Sequence, residues 1–168
     1  MRKPLYVGVL MIGLLAAGCG TTGGKSETKP ITADQVNAAP TPTATAMEMA
    51  GARIGQAKTK LGAVLVGRKE RTLYLFEKDK GGKSSCAGAC ARAWPPFITK
   101  GKPEAGEGIK SELLGTVERG DGKLQVTYNN HPLYYFIKDK KAGDTLGNDV
   151  KAFGAEWYAV SLSGEKAH

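Results

Sequence analysis

The chain has 168 residues, of which 24 are lysine or arginine and 16 are aspartate or glutamate. Hydrophobic residues make up 41 % of it, which suffices for a packed core and excludes a wholly disordered protein. The length suits one domain with appendages rather than two full domains. The 23 glycines and 8 prolines disfavour long helices and favour a β-rich fold. With two histidines, one of them the terminal His168, a histidine-rich metal or catalytic centre is excluded.

The N-terminus has the pattern of an export signal. Arg2 and Lys3 precede an apolar run over residues 5–17, which is too short to span a membrane comfortably. Small residues then lead directly to Cys19, and this arrangement resembles a bacterial lipobox. It predicts a signal peptide over residues 1–18 and a lipidated, palmitate-bearing Cys19, since two or more acyl chains give stable anchoring. The alternative is a plain secretory signal in which Cys19 has no role.

The predicted anchor places the protein on the extracytoplasmic face of the cell membrane. Without residues 1–18 the chain has 22 basic and 16 acidic residues, a net charge of +6. A basic protein held at a membrane by its lipid is expected to lie against anionic lipid or wall polymer. Nucleic acid is not an expected partner, because the lysines are scattered and no recognition motif is present.

Residues 19–60 are predicted to form the lipidated N-terminus and a disordered tether. The stretch over residues 38–46 is a low-complexity sequence of proline, threonine and alanine. Such a composition cannot bury enough apolar surface to offset the entropy lost on ordering. The expected role of this segment is that of a spacer between the membrane and the folded domain.

From residue 61 the sequence changes to short β-prone runs, which predict one mainly β domain over residues 61–163. The predicted strands cover residues 62–66, 71–77, 132–138 and 157–162, with a hairpin over residues 116–128 around Gly-Asp-Gly. One short helix is expected over residues 84–93, near Cys86 and Cys90, with Ser84 or Ser85 as its N-cap. Residues 164–168 are predicted to be a frayed tail.

An internal repeat is the strongest signal in the domain. Leu73–Lys80 and Leu133–Lys140 agree at six of eight positions, at an offset of 60 residues. A glycine-containing loop and then a tryptophan, Trp94 or Trp157, follow each segment. The sequence therefore predicts two degenerate copies of one β unit.

The repeated segment also predicts how the two copies pack. In an extended strand Leu73 and Leu75 point to one face, whereas Tyr74 and Phe76 point to the other. Both faces are apolar, so the strand must be covered on both sides. Either copy alone would leave an aromatic face in water, which predicts that the copies cover one another in a pseudo-twofold arrangement.

The two segments carry a recognisable signature. Tyr74-x-Phe76-x-x-Asp79 and Tyr134-x-Phe136-x-x-Asp139 resemble the Y-x-[FWY]-x-x-D motif of a bacterial lipoprotein family, the secreted repeats of unknown function. Further similar segments are residues 85–96, 132–134, 143–144 and 153–157. The resemblance covers residues 62–162. It implies an exported lipoprotein with paired repeats, and it supplies no reaction.

Cys86 and Cys90 remain as a pair once Cys19 is lipidated. An even pair of cysteines in an oxidising compartment predicts a disulfide, and an i, i+4 spacing on a helix brings the Cα atoms into bridging range. The alternative is a redox or copper site, because two thiolates can bind Cu(I). Met47 and Met49 are soft ligands too, but they lie in the predicted tether.

Three other patterns have a structural and a functional interpretation. Asp139, Asp144 and Asp149 lack the order of an EF-hand and are expected in turns. His131 is expected in a turn before Pro132, since no nucleophile motif accompanies it. The aromatic residues suit either a ligand cleft or a core, and their strand spacing favours a core. They are Tyr74, Trp94, Tyr128, Tyr134, Tyr135 and Trp157.

The sequence thus predicts a lipid-anchored envelope protein with a non-enzymatic binding or structural role, since no catalytic constellation is present. Neither a cofactor nor a ligand is indicated. The alternative, from a different class, is a redox or copper-handling lipoprotein that uses Cys86 and Cys90.

Overall fold

The computed structural model describes residues 51–168. The predicted signal peptide, Cys19, both tether methionines and most of the tether lie outside the described residues. From residue 51 to the C-terminus, no helix has the length and apolar character needed to cross a membrane.

The described part of the chain is built mainly of short strands. In chain order they are β1 (Arg53–Thr59), β2 (Gly62–Val66), β3 (Tyr74–Phe76), β4 (Ile98–Thr99), β5 (Glu104–Ala105), β6 (Leu114–Glu118), β7 (Leu124–Tyr128), β8 (His131–Pro132), β9 (Val150–Ala152) and β10 (Ala155–Ala159). A five-residue helix, α1 (Ala89–Ala93), lies between β3 and β4. Single 3₁₀ turns occupy Arg68–Glu70 and Ser111–Leu113. The predicted mainly β class is confirmed.

Within residues 51–168 the strands form three small sheets, with strand orders β2-β1-β5, β3-β10-β9 and β4-β7-β6. The β6–β7 hairpin is antiparallel, with Thr116 opposite Val126, as the Gly-Asp-Gly turn predicts. Strand β8 pairs with the C-terminal end of β7. Strand β5 pairs with β1 in parallel. Most pairings are therefore hairpins between neighbouring segments.

The two repeats meet at one backbone pairing. The N–H of Tyr74 donates to the carbonyl of Tyr134 at 2.8 Å, and the N–H of Tyr134 donates to the carbonyl of Tyr74 at 3.0 Å. Further along, Phe76 lies opposite Trp157 of β10, and Tyr134 lies opposite Pro96. Each signature segment therefore pairs with the tryptophan segment of the other repeat, and the predicted pseudo-twofold packing is confirmed.

Alternate side chains of the repeated segments enter two separate cores, as their pattern predicts. The first core includes Leu73, Leu75, Leu133 and Tyr135, together with Ile54, Phe97 and Val126. The second, here called the aromatic core, includes Tyr74, Phe76, Trp94, Tyr134, Phe136 and Trp157, together with Cys86 and Cys90. Both faces of each segment are therefore covered.

The tether was predicted to extend to residue 60, and this boundary is wrong. Residues 53–59 form β1, which pairs with β2 from Gly55–Val66 to Thr59–Gly62. Ile54 is fully buried in the first core. Because β1 has one large apolar side chain, its sequence carries little strand signal, and the pairing with β2 supplies the stability.

The predicted frayed tail at residues 164–168 is also wrong. Gly164, with a φ of 86°, allows the chain to turn back, and Lys166 then forms a bridge with Val160. The N–H of Ala167 donates to the carbonyl of Ala159, and Ala167 is 3 % exposed. Lys166 also forms an ion pair with Glu77. Tertiary pairing therefore orders the last residues.

Three other predicted elements are shorter in the structure. The strand predicted over residues 71–77 is reduced to β3 (Tyr74–Phe76) and a single bridge at Thr72. The helix begins at Ala89 after Gly88, so neither Ser84 nor Ser85 caps it. The predicted strand over residues 132–138 is reduced to the end of β8 and single bridges at Tyr134. Both serines bond to side chains of the repeats instead, as described below.

We expect Trp94→Ala to lower the free energy of unfolding by about 3–5 kcal/mol, the usual cost of emptying a buried tryptophan site. Trp94 is 1 % exposed and lies at the centre of the aromatic core. Urea unfolding followed by circular dichroism measures the loss. Arg92→Ala, an exposed position on α1, is the control and should stay within about 0.5 kcal/mol. Equal effects of the two variants would contradict the central role of Trp94.

Candidate functional site

Four stacked rings form the centre of the aromatic core. Phe76 stacks on Trp157 with centroids 4.0 Å apart, Trp157 on Trp94 at 4.0 Å, and Trp94 on Phe136 at 4.2 Å. The interplanar angles are 9°, 5° and 24°. The two tryptophans lie at the centre of the stack, and the phenylalanine of each repeat stacks on the tryptophan of the other. Such pairs stabilise a core beyond the area they bury.

The two signature tyrosines pack edge-on against this stack. Tyr74 meets Trp94 at 5.4 Å and 77°, and Tyr134 meets Trp157 at 5.1 Å and 84°. Gly147 makes the first contact possible, because a Cβ there would lie 2.8 Å from Trp94 Cη2 and 2.9 Å from Tyr74 Cε1. A residue with a side chain would have to displace two buried rings.

The signature aspartates bond across the repeats. The hydroxyl of Tyr74 donates to Asp139 Oδ2 and the hydroxyl of Tyr134 donates to Asp79 Oδ2, both at 2.6 Å. The second oxygen, Oδ1, of Asp79 accepts from the N–H and hydroxyl of Ser85, and that of Asp139 accepts from the N–H of Leu146. The bonds from the N–H groups of Ser85 and Leu146 close the loops after the two segments, and the sequence did not indicate the bonds from the tyrosines.

Burial sets the protonation of this network. It raises the pKa of the Tyr74 and Tyr134 hydroxyls far above that of free tyrosine, and the neighbouring carboxylates raise it further. Burial also raises the pKa of Asp139, although the hydrogen bonds from Tyr74 and Leu146 act in the opposite direction. Both tyrosines therefore remain hydrogen-bond donors at any physiological pH.

Arg119 extends the network to the β6–β7 hairpin, and sequence reasoning missed it. Its Nη1 donates to Ser84 Oγ and to Gln125 Oε1, both at 2.6 Å, and its Nη2 donates to the carbonyl of Cys86 at 2.8 Å. Ser84 Oγ lies 2.8 Å from the hydroxyl of Tyr134. An arginine beside a hairpin turn usually lies in water, so its 8 % exposure had no sequence signal.

Cys86 and Cys90 form a disulfide with Cα atoms 5.3 Å apart, which confirms the predicted pairing. Cys86 is 1 % exposed and Cys90 is 7 % exposed. An open cleft of about 460 Å³ lies beside the bridge, between the loop at Ser84–Gly88 and the turn at Arg119–Asp121. The disulfide holds the loop whose Cys86 carbonyl accepts the bond from Arg119.

The other candidate residues lie in turns or in the core. His131 begins β8 directly after Asn129 and Asn130, whose φ values of 47° and 65° fit a tight hairpin. Asp144 Oδ2 accepts from the N–H groups of Lys140 and Lys141. All six aromatic residues proposed for a cleft are buried, which confirms their place in a core. Across residues 51–168, no cluster of three or more His, Cys, Asp or Glu side chains has the geometry to hold a metal ion.

The comparison with protein families gives one result. The family described as "secreted repeat of unknown function" matches residues 55–97 and again residues 115–161. The chain belongs to this family. Each matched segment contains one signature, Tyr74 to Asp79 or Tyr134 to Asp139, and residues 98–114 between the two matches include β4 and β5. Neither the curated proteins nor the solved structures contain a match to the chain.

The geometry assigns the family signature to the interior. All six signature residues are at most 8 % exposed, and each repeat's tyrosine meets the other repeat's aspartate. A side chain that acts on a substrate must be able to reach it. The arrangement is therefore suited to joining two halves of a domain.

We expect Tyr74→Phe and Tyr134→Phe each to lower the free energy of unfolding by about 1–3 kcal/mol, because each leaves a buried carboxylate oxygen without its donor. Urea unfolding measures the loss. Tyr158→Phe is the control, since it removes a hydroxyl from a half-buried tyrosine of the same domain. If all three variants are equally stable, the crossed bonds do not stabilise the pairing of the repeats.

Stability should also depend on pH through Asp139. Its pKa is raised above the ordinary value of 3.8, so the folded protein binds this proton more tightly than the unfolded chain does. The contribution of Asp139 is therefore greatest below its ordinary pKa and declines as pH rises through the raised pKa. We expect the stability of the wild type relative to Asp139→Asn to decrease from acidic to neutral pH in urea titrations.

Asp144 provides a control of opposite sign for the pH experiment. Hydrogen bonds from the N–H groups of Lys141 and Lys140 lower its pKa. Its contribution is therefore present above its ordinary pKa and is lost as pH falls. Parallel pH profiles for Asp139→Asn and Asp144→Asn would contradict the assignment.

Proposed function

We propose that the protein is an exported lipoprotein with a non-catalytic binding or structural role in the cell envelope. Cys19, once acylated, holds the two-repeat domain on the extracytoplasmic face of the membrane. The burial of the six signature residues is the observation that carries the non-catalytic part of this proposal. Residues that mark the family are used to join the repeats, and a reaction centre would present them to a substrate.

Three features support export and anchoring. The family is one of secreted repeats, and the disulfide between Cys86 and Cys90 suits an oxidising compartment. The small residues before Cys19, after an apolar run with a basic start, fit processing by a lipoprotein signal peptidase. Anchored in this way, a chain with a charge of +6 is attracted to anionic lipid or wall polymer.

The redox or copper-handling role remains a separate hypothesis. In the disulfide neither sulfur is a thiolate, so Cu(I) binding at Cys86 and Cys90 would require prior reduction. Both cysteines are also more than nine-tenths buried within the aromatic core. These two facts favour a structural bridge as the role of the pair in the proposed function.

Replacement of the anchor residue tests the proposal. We expect the intact mass of the wild type to correspond to residues 19–168 carrying fatty acid on Cys19. Cys19→Ser removes the acylated thiol, so this variant should carry no fatty acid and should retain residues 1–18. The double variant Cys86→Ser/Cys90→Ser is the control and should still be acylated. An unmodified wild-type protein, or one cleaved elsewhere, would contradict the lipoprotein assignment.

A further inference from the structure

The second repeat exposes two large apolar side chains at the ends of one loop. Ile137 is 47 % exposed and Leu146 is 57 % exposed. The N–H of Leu146 donates to Asp139 Oδ1 at 3.1 Å, and the N–H of Ile137 donates to the carbonyl of Ala93 at 3.1 Å. The first bond closes the loop, and the second holds its first residue beside the C-terminal end of α1.

The same loop carries three lysines against two aspartates. Lys138, Lys140 and Lys141 are exposed, and no acidic side chain of residues 51–168 forms an ion pair with them. The carboxylate of Asp144 accepts from backbone N–H groups of the loop, and Asp139 is buried. We call Ile137, Lys138, Lys140, Lys141 and Leu146 the basic loop surface.

A second cationic segment lies against this loop. Arg71 Nη2 donates to the carbonyl of Phe136 at 2.7 Å, and Thr72 Oγ1 donates to the carbonyl of Asp144 at 2.6 Å. The adjoining Arg68 and Lys69 are exposed, and Glu70 is the acidic residue between them and Arg71. Positive charge therefore exceeds negative charge on this side of the domain.

Comparison of the two repeats shows that the fold does not require these exposed apolar groups. The position of Ile137 is taken by Glu77 in the first repeat, at the offset of 60 residues, and Glu77 pairs with Lys166. The loop after Glu77 carries Lys78, Lys80 and Lys83, so it has the charge without the exposed isoleucine. Of the two corresponding loops, residues 77–86 and 137–146, the second combines exposed lysines with exposed large apolar side chains of its own, and the first does not.

We propose that the basic loop surface lies against an anionic lipid membrane. Exposed lysines are attracted to lipid phosphates, and Ile137 and Leu146 suit the boundary between headgroups and acyl chains. An anionic wall polymer would engage the lysines but would leave both apolar side chains in water. The membrane is therefore the partner that uses the whole surface.

This inference rests on the proposed lipid anchor, which keeps the domain near the bilayer. Residues 20–52 separate Cys19 from β1 and span at most about 120 Å when fully extended. Within that distance a weak surface contact becomes intramolecular and is favoured by the high effective concentration.

Amide hydrogen exchange of the acylated protein, residues 19–168, anchored in vesicles tests the contact. The vesicles contain either phosphatidylcholine alone or equal amounts of phosphatidylcholine and phosphatidylglycerol. We expect exchange over residues 137–146 to slow in the anionic vesicles. Each lysine near an anionic surface contributes about fivefold to affinity, so Lys138→Glu/Lys140→Glu/Lys141→Glu should abolish the protection. Ile137→Glu, which copies the first repeat, should weaken it.

Lys78→Glu/Lys80→Glu/Lys83→Glu is the matched control, since it changes the net charge equally on the corresponding loop. It should leave the protection intact. Equal exchange in both kinds of vesicle, or equal loss in both triple variants, would overturn the proposal. A different outcome is that soluble polyphosphate slows exchange over residues 137–146 equally in the wild type and in Ile137→Glu. That result would overturn the proposal in favour of an anionic polymer.

The intact mass of the protein, and its recovery together with the vesicles, test the lipid anchor separately from the surface contact. A protein that is acylated but unprotected over residues 137–146 would refute the surface and leave the proposed function standing. A protein that lacks fatty acid would refute the anchor. Its loop exchange, measured with the same vesicles added, would still decide for or against the surface.

Discussion

Two buried carboxylates explain why the repeats occur as a pair. Asp79 and Asp139 are placed in an aromatic core, where a carboxylate without donors is costly. The tyrosine that meets each of them comes from the other repeat, as does the tryptophan on which each phenylalanine stacks. Neither repeat supplies the tyrosine that bonds to its own aspartate or the tryptophan on which its own phenylalanine stacks. The remaining sheets form around this crossed pairing.

This dependence separates the parts of the chain that maintain the fold from those free to differ. The signature residues and both tryptophans face inward, so they are constrained by one another. The loops after the signatures differ: the first repeat carries the disulfide of Cys86 and Cys90, and the second exposes Ile137 and Leu146. Binding functions of a paired-repeat domain are expected at such differences, because both repeats supply the same interior.

Local patterns predicted the elements whose stability is local. The β6–β7 hairpin followed from its turn sequence, and the two-sided burial of Leu73–Phe76 followed from the alternation of its side chains. Strand β1 was missed because Ile54 is its one large buried side chain, so its sequence has little strand pattern. Its backbone pairing with β2 stabilises it instead. The predicted helix start was wrong because Ser84 and Ser85 do not cap α1. Ser84 hydrogen-bonds to Tyr134, and Ser85 hydrogen-bonds to Asp79.

The sequence by itself determined the repeat, the alternation of faces and the cysteine pair, since each is a relation between residues at short or regular spacing. The tertiary structure alone decided the Tyr74–Asp139 and Tyr134–Asp79 bonds and the burial of Arg119. The tyrosine and aspartate partners lie 65 and 55 residues apart along the chain. Such a hydrogen bond cannot be predicted from periodic patterns in the sequence, because packing brings its partners together.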